Sequence, residues 1–450
     1  MSLSKKPDTI PNSTVEFVQK LLQPQGLSNI QKTILDLCWE GMTYQAISDK
    51  TGYDDSYVRA VGAQLWQSLA EALGQKITKN TFKVVLNQRL LAENDLAAST
   101  KPSSEAAIPL PRGPVSLRSP FYIERLPVEP NCYDSLVQPG SLIRIKGPKQ
   151  IGKTSLMARI IDFGRAQEYA TVTLNLELAS TDILSDVDRF FRWLCVMVSK
   201  ALDLPARLDD YWEELCGSSY NCTEYFEGHL LSALEEPIVL ALDNADIVFH
   251  YPTVAADFFG MLRAWYESAR YGDADSDTWK KLRLVVVYST DVYIPLPFHQ
   301  SPFNVGMFVE LPGFTVDQIA TLVERYQLDW TLQDVEALMR LVGGHPYLVQ
   351  VTLYHAKQLS LSLADIESDA IAPNSIYSAH LQQQFWALQP HNSLLSGFQQ
   401  IISATEPQAI DPVALLKLEG LGLVKLDQGR ALPAFELYRR YFENLFGQAS

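Results

Sequence analysis

Apolar side chains recur along this chain in two rhythms, and the changes of rhythm divide it into parts. From Leu27 to Leu73 they fall three or four positions apart, the helical spacing. Ile30, Ile34, Leu35 and Leu37 mark a first helix that stops near Gly41, and a short second helix covers 43–50. The turn Thr51-Gly52-Tyr53-Asp54 follows, and Asp54 or Asp55 caps a longer helix carrying Val58, Val61, Leu65, Leu69 and Leu73. Helix, short helix, glycine-bearing turn and longer helix form a helix-turn-helix outline, assigned to residues 1–95. Ala, Ser and five prolines then break every period over 96–120, so 96–118 is read as a linker.

Beyond Ser119 short apolar runs alternate with helix-length segments. Strands are expected at 142–145, 171–176, 237–242, 284–288 and 307–311. That alternation predicts an α/β fold with a parallel sheet covered by helices, over 119–313. A stretch that reads as helical throughout, 315–359, predicts a helical lid at 314–372. Helices followed by a hairpin, 423–426 and 430–432 around Asp427-Gln428-Gly429, predict a winged helix at 373–450.

Composition leaves this picture intact and narrows it. The 450 residues are 47% hydrophobic and 20% charged, enough for sizeable cores and against a disordered chain. Residues 1–100 carry ten basic and ten acidic side chains, so the rest of the chain bears the whole net charge of −15. Such a body repels polyanions. The helix-turn-helix has one basic residue, Arg59, against Asp54 and Asp55 on its second helix, and the expected winged helix has five basic against six acidic side chains. Lys76, Lys79, Lys83 and Arg89 form an acid-free stretch that contacts phosphates or solvates a face. Protein docking is therefore expected of these modules, with DNA binding as the alternative. Five cysteines without framework or zinc spacing predict reduced thiols, and neither a signal peptide nor a membrane span is apparent, so a cytoplasmic protein without membrane contact is expected.

The chemistry concentrates at Gly147-Pro148-Lys149-Gln150-Ile151-Gly152-Lys153-Thr154. This octet follows a strand and opens a helix, the setting in which glycines let backbone N–H groups close around phosphate oxygens at a positive helix end. Lys153 is the expected charge on the β- and γ-phosphates, Thr154 a Mg²⁺ ligand, and Ser155 continues the loop. A second Mg²⁺ carboxylate belongs at the end of a neighbouring apolar strand, where Asp243 stands. The bland alternative is a helix cap. Asn244 occupies the next position, where hydrolytic relatives of such loops carry an acid that takes a proton from the attacking water; an amide only orients it, so slow or impaired hydrolysis is expected. Ser289 or Thr290, after the fourth strand, is a candidate γ-phosphate sensor or an ordinary strand cap. Arg263 and Arg270 are arginine-finger candidates by position alone, should the chain form homo-oligomers.

These residues, with Ser119-Pro-Phe-Tyr-Ile-Glu-Arg125, Ser289-Thr-Asp-Val-Tyr-Ile-Pro-Leu296, Ser301-Pro-Phe-Asn-Val-Gly306 and Gly343-Gly-His-Pro-Tyr-Leu-Val-Gln350, resemble the AAA-like ATPase domain of cyanobacterial proteins, allied to the STAND signalling ATPases. The resemblance covers about three quarters of the chain, from near Ser119 to near Phe446. The first 100 residues resemble the helix-turn-helix domain of vWA–MoxR-associated proteins. The resemblance implies an ASCE-type P-loop NTPase core that binds ATP or ADP with Mg²⁺ and switches a regulator acting on a protein partner in defence or stress signalling. An ATP-dependent DNA-binding regulator and a degenerate ATPase scaffold are the alternatives. It also implies an adenine contact at Pro346 and a facing adenine wall of Tyr122, Ile123 and Arg125. A glycine-rich helix stop and restart explains residues 343–346 equally well.

Overall fold

The computed structural model describes Val18, residues 27–39 and 42–73, Lys79, Phe82, 108–272, 274–289 and 304–447. The chain divides into two compact units, Met1–Ile108 and Pro109–Ser450.

In the first unit, helices α1 (Asn29–Trp39), α2 (Tyr44–Thr51) and α3 (Asp55–Leu73) form the expected helix-turn-helix pattern. Thr43 Oγ1 accepts from Ala46 N–H and starts α2, and Gly52, at φ 76°, ends it by donating to Ser48 O. Ile34, Leu35, Ile47, Val58, Leu65 and Leu69 are fully buried, which is the helical period of the sequence made into a core.

The second unit is built on a parallel sheet. Its strands β1 (Leu142–Gly147), β2 (Ala170–Asn175), β3 (Ile238–Asp243), β4 (Leu282–Ser289) and β5 (Met307–Glu310) lie in the order β2-β3-β4-β1-β5. Successive residues serve opposite faces. Val239, Ala241, Val285 and Val287 pack with Leu156 and Ile160 of α4 (Lys153–Ala166). Leu240, Leu242, Leu284 and Val286 pack on the other face with α5 (Val187–Ala201), α6 (Ser218–Tyr225) and α7 (Pro252–Ser268). Burial on both sides explains why β3 and β4 are nearly continuous apolar runs. All five cysteines are free thiols.

The stretch after β5 breaks into α8 (Val316–Arg325), α9 (Leu332–Val342) and α10 (Pro346–Leu359). Thr315 and Thr331 each close a capping box, and Gly343 and Gly344, at φ 63° and 70°, separate α9 from α10. The C-terminal part holds α11 (Ser378–Leu388), α12 (Asn392–Ile402), α13 (Pro412–Gly420), the hairpin β6 (Val424–Asp427) and β7 (Arg430–Pro433), and α14 (Glu436–Gly447). Gln428 and Gly429 both have positive φ, as a two-residue hairpin turn requires.

One boundary needs correction. The linker expected over 96–118 ends earlier, because the chain from Pro109 on belongs to the second unit. Arg159 of α4 holds this proline-rich backbone by donating to Val115 O and Ser116 O at 3.2 and 3.1 Å. Val115 N–H in turn donates to Ser155 Oγ at 2.9 Å.

Candidate nucleotide site

The loop between β1 and α4 carries the predicted octet at the C-terminal edge of the sheet. Both of its glycines have physical reasons to be there. Gly152 sits at φ 102°, and a Cβ on it would come within 2.9 Å of the Arg125 guanidinium. A Cβ on Gly147 would come equally close, 2.9 Å, to the Ile151 side chain. Gln150 also lies in the left-handed region, at φ 63°.

The Lys153 ammonium is buried beneath the loop and donates to Gly147 O, Pro148 O and Ser289 Oγ at 2.9, 2.8 and 3.1 Å. Ser289 thus joins the site, whereas Thr290 lies outside the described residues. Thr154 Oγ1 stands 3.1 and 3.4 Å from the two Asp243 oxygens. Burial raises the Asp243 carboxyl above the ordinary range, against the lowering effect of hydrogen bonds from Thr154 and Asn244 N–H and of the Lys153 charge. A divalent cation beside that carboxylate would relieve the strain of burying it. Thr154 and Asp243 are hard oxygen donors side by side, the set that fits a Mg²⁺ retaining most of its own water. Among the described residues no three His, Cys, Asp or Glu side chains converge as a protein-only metal site.

Asn244, at φ 54°, donates through Nδ2 to Asn175 Oδ1 at 3.0 Å, and that same oxygen takes Glu177 N–H at 3.0 Å. Asp246 Oδ1 accepts from Ser289 N–H at 2.8 Å. Asn175, Asn244 and Asp246 therefore bind the ends of β2, β3 and β4 to one another.

From the loop a cavity of about 590 Å³ opens. Lys149, Gln150, Gly152, Lys153, Thr154, Ser155, Glu177, Asn244, Asp246 and Ser289 give it a polar lining. Phe121, Tyr326, Pro346, Tyr347, Gln350 and the strap from Pro109 to Ser116 line it as well. The Phe121 and Tyr326 rings lie 4.2 Å apart, centroid to centroid.

Tyr122 and Ile123 are not in this cavity. They line a separate hollow with Arg159 and Arg325, apart from the cavity at the loop, which Phe121 lines. Neighbouring residues of an extended segment face opposite ways, and Tyr122 is held away by its hydroxyl, which donates to Glu129 Oε1 at 2.7 Å. Arg125 is a loop support: its Nη1 donates to Ile151 O at 2.7 Å. Pro148 packs outward, where a Cβ on Gly422 would come within 3.0 Å of it. Arg263 is bonded to Glu267 and Asn304, and Arg270 to Tyr266 O and Gly140 O, all within the chain.

The loop also reaches the C-terminal part. Gln150 Oε1 lies 2.6 Å from His380 Nδ1, and His380 Nε2 lies 2.7 Å from the Tyr438 hydroxyl. His345, between α9 and α10, is buried beside them, its Nδ1 without a hydrogen-bond partner. Sequence reasoning missed Phe121, Tyr326, Tyr347 and His380, because nothing local ties residues 121 and 326, or 150 and 380, together.

Residues 110–444 match the family described as the AAA-like domain. The chain belongs to that family. Residues 12–89 of this AAA-like chain match the N-terminal helix-turn-helix of vWA-MoxR-associated proteins. An uncharacterized WD repeat-containing protein of Synechocystis is 24% identical over 233 residues, half of the AAA-like chain but 19% of the relative, so the chain spans about a fifth of that protein's length. Among solved structures, the Walker-type ATPase of Pyrococcus abyssi is 12% identical with a TM-score of 0.48, over 71% of this chain and 95% of that one. AMPPCP-bound DnaA from Aquifex aeolicus is 12% identical with a TM-score of 0.38, over 73% and 90%. No helix of the AAA-like chain, among the described residues, is long and apolar enough to cross a membrane.

Proposed function

We propose that this AAA-like chain is an ATP-binding molecular switch whose nucleotide state is passed from the phosphate loop to its C-terminal elements and on to a protein partner. The observation that carries the reading is the Lys153–Thr154–Asp243–Ser289 cluster beside a cavity that Phe121, Tyr326 and Tyr347 also line.

In this reading the triphosphate lies along the loop, and Lys153 exchanges its carbonyl contacts for β- and γ-phosphate oxygens. Thr154 and Asp243 hold Mg²⁺, which neutralises charge on those oxygens. The purine lies at the end formed by Phe121, Tyr326, Pro346 and Tyr347. Asn244 orients water without accepting its proton, so turnover is slow. Phosphate contacts that reposition Gln150 alter its contact with His380, and through Tyr438 the position of α14.

We read residues 314–372 as the lid and 373–450 as a winged helix. The helix-turn-helix unit is the module we assign to the partner. A protein partner is favoured over DNA because Arg59 is engaged by Asp55 at 2.6 Å, leaving that helix little to offer a phosphate. Saturable binding of duplex DNA that weakens with salt would give the place to an ATP-dependent DNA-binding regulator.

Amide hydrogen exchange tests the switch. ATP with Mg²⁺ should protect the loop and α4 and change exchange in α11 and α14, and ADP should give a different pattern in those two helices. Identical patterns for ATP and ADP would remove the switch and leave a nucleotide-stabilised scaffold.

A further inference from the structure

Gln350 stands one helical turn after Pro346 on α10, so the two share a face, and both line the cavity. It is buried to 7% exposure, and its Nε2 donates to Phe121 O at 3.1 Å. A backbone carbonyl can only accept. The amide nitrogen must therefore face Phe121, and the usual ambiguity between amide oxygen and nitrogen does not arise here. Turning the amide over would set two oxygens against each other in a buried place, at the cost of an unsatisfied carbonyl.

This leaves Oε1 and the second N–H of a fixed amide on a side chain that lines the cavity together with Phe121 and Tyr326. An acceptor and a donor held side by side match the N6 amino group and N7 of adenine, the pairing by which Gln recognises that base elsewhere. A base with a carbonyl at the same position brings acceptor against acceptor. We infer that Gln350 is the residue that selects a 6-amino purine over a 6-oxo purine in this cavity. The inference rests on the nucleotide reading above and adds to it the residue that sets the choice of base. Gln383, exposed on α11, lines the same cavity but has no such anchor, and it does not set the preference.

The experiment compares ATP, ITP and N6,N6-dimethyl-ATP on the full chain by equilibrium titration. ITP differs from ATP at the edge Gln350 would read, and the dimethyl analogue keeps the adenine ring without its N6 donors. Wild type should bind ATP at least about tenfold more tightly than either analogue, since a mismatched base leaves a buried acceptor unpaired. Gln350→Met should bring ATP down to the level of ITP while leaving ITP unchanged, and Gln383→Met should keep the preference. Equal binding of all three by wild type overturns the inference without use of any variant. So does a Gln350→Met chain that still prefers ATP. Failure of every nucleotide to bind, or binding indifferent to Lys153→Ala, overturns the nucleotide reading itself and is told apart by that control.

Discussion

Asn244 follows Asp243 directly at the end of β3, and its amide is tied to Asn175 across the neighbouring strand. A glutamate there would add a group able to take a proton from water, a contribution of roughly 10²–10⁴-fold at full effect. Asn244→Glu should therefore raise ATP turnover by about tenfold or more in a phosphate-release assay, the low end because Asn175 was placed for an amide. Unchanged turnover would mean that another carboxylate, such as Glu177 in the same cavity, already serves. The phosphate end of the site was legible because its chemistry is local: glycines, lysine and threonine within one loop, and one acid ending one strand. The aromatic lining of the cavity was not. Phe121 and Tyr326 stand 205 positions apart in the chain yet bring their rings to 4.2 Å, and no local pattern separates Phe121 from Tyr122 beside it.

Elements were legible where burial imposes a period. The alternation of β3 and β4 between two helical faces, and the helix stops at Gly52 and Gly343, follow from residue types at those positions. The proline-rich segment from Pro109 was misread as free linker because its attachment depends on Arg159, a residue of a distant helix. The structure buries two histidines, one just before α10 and one on α11. Burial brings His345 down to about 4, with the nearby Lys153 charge acting the same way, and burial with the His345 neighbour holds His380 well below its ordinary value. Both stay neutral in the folded chain at pH 7, while in the unfolded chain they take up protons below about 6.5. Stability is therefore complete above about pH 6.5 and falls as the pH drops below it, by up to about 1.4 kcal/mol per pH unit for His345 on the way towards 4, with His380 acting in the same direction. Urea midpoints measured from pH 7 to pH 4.5 should fall, and fall less steeply for His345→Asn combined with His380→Gln. Parallel slopes for wild type and variant would contradict this account of the pair.

At the scale of the molecule, two units with different chemistry share one chain. The first is helical and electrically balanced over its first 100 residues, and the second carries the acidic surplus together with the proposed phosphate site. An acidic body around an anion site requires a concentrated local attraction. Here that falls to the amides at the start of α4 and to Lys153, whose buried ammonium reaches both the loop and Ser289. The account stands on that cluster, and an equilibrium titration of the full chain with ATP and Mg²⁺ tests it most directly. Saturable binding that Lys153→Ala weakens at least about tenfold is the predicted result, the loss expected when a charge-assisted contact to phosphate is removed. No saturation at millimolar nucleotide, or the same affinity in both proteins, would contradict it.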